Sequence, residues 1–103
     1  MSKNIVVFRN EDIDRVIAFI PPRHKHIRVL IETKDSIFIF QEATIANLVR
    51  AYIMVSTHPT LKAVELVKSH LKDKKDGFAE YQLVESKRIE DEIISELSKV
   101  IQF

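Results

Sequence analysis

Two apolar runs, 27–33 and 37–40, lie on either side of Lys34-Asp35-Ser36. Both are rich in β-branched and aromatic residues, which suit a pleated, half-buried surface. The three residues between them are turn formers. This spacing predicts a β-hairpin, and hence an antiparallel sheet in the finished fold.

The remaining elements follow from period and punctuation. Residues 4–9 read as a short strand. Asn10 offers an N-cap ahead of Glu11 and Asp12, and Ile13, Val16, Ile17 and Ile20 recur at helical spacing, so a helix is expected over 10–20, stopped by Pro21. From Thr44 to Thr57 apolar residues surround the axis, interrupted by a narrow stripe holding Asn47 and Arg50. That pattern predicts a well-buried helix. Pro59 suits the opening of another, with Leu61, Val64, Val67 and Leu71 on one face. A charged connector, 71–77, ends in Gly77. Residues 78–84 alternate as a half-buried strand. Ser86 would cap a last helix with Ile89, Ile93, Leu97, Val100 and Ile101 on one side.

The expected order is βαββααβα. With the two middle helices taken as one crossover, it fits a ferredoxin-like split βαβ unit plus a C-terminal helix: an α+β fold in two layers, with a four-stranded, mainly antiparallel sheet. At 103 residues the chain is expected to be one domain, 1–103. A chain of this size buries roughly 60–70% of its unfolded surface.

Totals narrow the function classes. Sixteen basic residues against fifteen acidic ones leave a net charge of +1, which argues against a strongly basic nucleic-acid binder. The absence of cysteine removes disulfides, thiolate metal sites and cysteine nucleophiles. No apolar stretch approaches the roughly 20 residues of a membrane span, and the N-terminal apolar run is too short for a signal peptide. A cytoplasmic protein is expected, with no membrane contact and no cofactor. One glycine, three asparagines and three glutamines beside many ionic residues make a thermophile-like composition.

The segment Pro21-Pro22-Arg23-His24-Lys25-His26-Ile27-Arg28 is the first candidate site. Mobile positive charge is what phosphate contact requires, so Arg23, Lys25 and Arg28 are candidate nucleic-acid-binding residues, joined by Lys72, Lys74 and Lys75 if the two segments converge. The competing reading is a solvated loop. His24 and His26 would share one face of an extended segment, but zinc needs three or four ligands and Lys25 separates the pair, so no metal site is expected. Arg50 is a candidate anion site; if covered, it needs a partner such as Glu42. Glu90-Asp91-Glu92 suits a helix start. One glycine leaves no phosphate loop, and no catalytic arrangement stands out.

If the strands at 4–9 and 37–40 were neighbours, Phe8, Phe38 and Phe40 would share a surface. That surface resembles the stacking platform of an RNA-recognition domain, in element order over residues 4–85. The motif departs from the family pattern: Lys34 to Phe40 has alternating aromatics but no glycine, and Ile37 and Ile39 fill the spacing positions. The last helix is expected to close over that face and make the phenylalanines core. Ile94 and Phe103 fall off its main stripe, and a second copy of the chain is the simplest cover for them. The leading expectation is a small non-catalytic interaction protein, homodimeric or bound to a protein partner. The alternative is RNA or DNA binding through the 23–28 loop.

Overall fold

The computed structural model describes residues 3–70 and 81–101. Lys72, Lys74, Lys75, the 71–77 connector, residues 78–80 and Phe103 lie outside the described residues. The protein is α+β, with two helices and two antiparallel sheets of three and two strands. It divides into two compact units, 1–46 and 47–103.

The first unit is built on the expected hairpin. Strand β1 (Ile13–Phe19), strand β2 (Arg28–Thr33) and strand β3 (Ile37–Gln41) form a meander in the order β1-β2-β3. Directly opposed residues share a face. Val16, Ile31 and Phe38 make one row, with Ala18, Val29 and Phe40 beside it. Ile17, Leu30 and Ile39 make a row on the opposite face. Both faces are therefore apolar, and the central strand β2 is half-buried along its whole length. Asp14 is the extra residue of a bulge, because Ile13 faces Thr33 while Arg15 already faces Glu32. The Arg15 Nε donates to Glu32 Oε1 across this pair at 2.6 Å.

Three expectations about the sheet are corrected. Residues 3–9 form no strand. The helix expected over 10–20 is a single 3-10 turn, Asn10–Asp12, followed by β1. Asn10 does not cap it; the Asp12 amide donates to the Arg9 carbonyl at 2.9 Å, and the Arg9 amide to Asp12 Oδ2 at 3.1 Å. Ile13, Val16 and Ile17 do lie at helical spacing, but they are β-branched. Pairing with Leu30, Ile31 and Thr33 outweighs helix propensities of only tenths of a kcal/mol per residue. The ferredoxin-like order is not found either. It needs the first and third strands adjacent, whereas β2 lies between them: neighbours in sequence have paired, with no crossover.

In the second unit, helix α1 (Glu42–Ser56), which begins in the first, matches the expected span. It is not the most buried element: none of its residues is fully buried, and Leu48, Val49, Tyr52 and Ile53 are exposed. The helix expected after Pro59 does not form among the described residues, 59–70. The His58 Nδ1 accepts the amides of Thr60 at 3.1 Å and Leu61 at 2.9 Å, which turns the chain aside. The β-prone run that follows becomes strand β4 (Leu66–His70), antiparallel to β5 (Tyr81–Glu85). The expected single four-stranded sheet is thus replaced by two separate ones.

Helix α2 (Glu90–Ser98) is the expected last helix, begun at Ile89 rather than Ser86. Ser86 Oγ instead accepts the Arg88 amide at 3.3 Å. Three acidic residues in the first turn complement the helix dipole. Ile93, on its inner face, is 7% exposed and is the one buried apolar residue among those described.

Candidate functional site

The basic segment is a shaped turn. The His24 amide donates to the Pro21 carbonyl at 3.0 Å, and Arg23 holds φ = 67°. Proline fixes a negative φ at Pro22, so this is a type II turn with arginine at the position that favours glycine. That conformation costs a non-glycine residue about 1–2 kcal/mol. Further along, Glu42 at the start of α1 clamps the segment. Its Oε2 lies 2.9 Å from His26 Nδ1, and its Oε1 accepts the Ile27 amide at 3.2 Å. These bonds hold the Glu42 carboxyl below its ordinary value, first through His26, then through the Ile27 amide, with Arg28 and His26 charge adding to them.

The candidate cations are placed unequally. Arg23 and Lys25 are exposed, and neither joins an ion pair among the described residues. Arg28 is half-buried, with its guanidinium 3.5 Å from the Ile27 carbonyl. Arg50 is exposed and donates to the Leu83 carbonyl at 3.4 Å, so it has no need of Glu42, which is committed to the 26–27 segment. Among the described residues no group of three or more histidine, aspartate or glutamate side chains is placed to hold a metal ion.

A cleft at the other end of the first unit was not foreseen. It encloses about 660 Å³ between the N-terminal segment and the β2–β3 turn. Val6, Phe8 and Phe38 supply its apolar wall, with the two rings edge-to-face at 5.2 Å. Its rim carries Glu11, Asp12, Asp14 and Asp35 against Lys34. Arg9 is shared between Glu11 at 3.3 Å and Asp12 at 3.5 Å, while Asp14 and Asp35 join no ion pair among the described residues. The turn beneath is fixed by the Thr33 amide, which donates to the Ser36 carbonyl at 2.9 Å. Phe38, expected to be core, is 36% exposed, and Phe8 is 45% exposed.

Sequence spacing concealed this cleft because residues 11–14 and 33–36 stand about twenty positions apart. Only the pairing of Ile13 with Thr33 brings them together. Comparison with family models, curated proteins and solved structures finds no match.

Proposed function

We propose that this protein is a small, non-catalytic interaction protein that completes its core by associating with a second copy of itself. One observation carries the reading: Ile93 alone is buried among the described apolar residues, while both faces of the β1–β3 sheet are apolar. Strands that read as continuous apolar runs belong to sheets covered on both sides. Val16, Ile37 and Ile39, all more than half exposed, represent surface that water penalises. Covering it is worth about 25 cal/mol for each Å² removed from water. No helix among the described residues is long and apolar enough to cross a membrane, and a cytoplasmic location is part of the proposal. Sedimentation velocity over a concentration series tests the reading. A dimer is expected; a monomer persisting at high micromolar concentration overturns it.

Arg23 and Lys25, exposed and without an ion pair among the described residues, favour a second reading, contact with RNA or DNA phosphates. Fluorescence anisotropy with a labelled oligonucleotide tests it. Binding that weakens steeply with salt supports it, and no binding at low salt removes it.

A further inference from the structure

The first unit is electrically bipolar. The acid-rimmed cleft sits where β2 ends, at Thr33, and the basic turn sits where β2 begins, at Arg28. Five residue steps of strand put roughly 16–17 Å between them. One copy's turn therefore cannot enter its own cleft. Two copies arranged antiparallel about a twofold axis bring each turn to the partner's cleft, and the contact closes on itself.

We propose that Arg23 and Lys25 of each copy dock on the rim formed by Asp14 and Asp35 of the other, which makes this pairing the charged frame of the self-association proposed above, on which it rests. Charge complementarity selects the occupant. The cleft presents two carboxylates without cation partners among the described residues. The turn presents two cations without carboxylate partners among the described residues. Both sets of side chains are exposed. The walls fit the same guest. Val6, Phe8 and Phe38 offer apolar surface to the methylene stems of arginine and lysine, and Phe8 and Phe38 add aromatic rings, whose faces attract cations. The turn is held ready: Glu42 fixes its C-terminal side, and Arg23 keeps a left-handed backbone that glycine would occupy more comfortably. A strained arginine at a loop tip is explained if its side chain has work that glycine cannot do.

The test is a charge swap. Arg23→Glu/Lys25→Glu makes turn and cleft both acidic; Asp14→Lys/Asp35→Lys makes both basic. Each variant alone is expected to sediment as a monomer, because like charges now face each other. Mixed in equal amounts they are expected to form a heterodimer, because both of its contacts are then complementary. Wild-type dissociation is expected to rise roughly tenfold between low and high salt, as for a few screened, exposed ion pairs. All four positions are exposed, and matching far-UV circular dichroism verifies that both variants fold. Variants that dimerise like the wild type overturn this docking and leave self-association standing. Variants that stay monomeric after mixing also overturn it. A wild-type monomer removes both proposals, and a lysine-rich peptide that then shifts the Asp14 and Phe38 amide resonances would assign the cleft to a foreign basic segment instead.

Discussion

Glu42 reaches back from the first turn of α1 to hold His26 Nδ1 at 2.9 Å, and its other oxygen takes the Ile27 amide at 3.2 Å. One carboxylate thus fastens the end of the basic turn to the start of a helix. Because its folded value lies below the ordinary 4.5, its ionised form is favoured by folding. The stabilising contribution is complete above pH 4.5 and is lost as pH falls through the lower, folded value. An NMR titration is expected to show the Ile27 amide resonance moving in that acid window. In Glu42→Gln the same resonance should have no acid transition. If it titrates unchanged in the variant, the clamp is not made by Glu42.

Arg23 carries the one positive φ outside glycine among the described residues. Arg23→Gly should remove strain and raise monomer stability by about 1 kcal/mol, or several degrees in melting temperature for a chain of this size. Arg23→Val should lower it, since a β-branched side chain tolerates this region least. The variants separate backbone from charge: Arg23→Gly is expected to melt later yet dimerise more weakly. A glycine variant that melts earlier than the wild type at concentrations where both are monomeric would show that the turn is not of type II in solution.

Arg88 gathers three acids of the second unit. Its Nη1 lies 2.5 Å from Glu96 Oε2 and 3.1 Å from Glu65 Oε2, and its Nη2 donates to the Glu92 carbonyl at 3.3 Å. Glu96 first, then the charges of Glu65 and Glu92, push its already high pKa further up. The planar guanidinium serves several acceptors at once, and lysine cannot copy that geometry. Arg88→Lys should therefore lower the melting temperature, and Arg88→Met should lower it more. The salt dependence of stability should shrink in Arg88→Met alone. Equal melting of all three proteins would mean that the cluster is only solvated surface.

What the sequence made legible was local. The hairpin at 28–41 was readable because turn formers separate two runs that only a sheet accommodates, and α1 was readable because its apolar pattern runs for four turns. Residues 13–20 and 61–67 misled because β-branched residues happened to fall three and four apart; which period wins is decided by a partner strand distant in sequence. Sequence offers Glu42 as one possible partner for a covered Arg50, whereas its carboxylate serves the loop before β2, which no spacing along the helix reveals. The acidic cleft depends on the facing of Ile13 and Thr33, and no spacing rule reports a pairing across the nineteen residues of strand and loop between them.

Ile93 is the sharpest probe of how little core one copy holds. Truncating a buried isoleucine to alanine removes transfer free energy and leaves a cavity, typically about 2–5 kcal/mol in a well-packed interior. At 7% exposure Ile93 should lie near the lower part of that range, because its surroundings are only half-buried and can relax: Leu97 on the same helical stripe and Ile101 just past the helix end are not fully covered. Urea denaturation of Ile93→Ala is expected to show a loss of about 2–3 kcal/mol. Val100→Ala, at 61% exposure, should be close to neutral if that side stays open to water. A large loss at Val100 that grows with protein concentration would instead place α2 inside the contact between copies, since stability gained by association follows mass action.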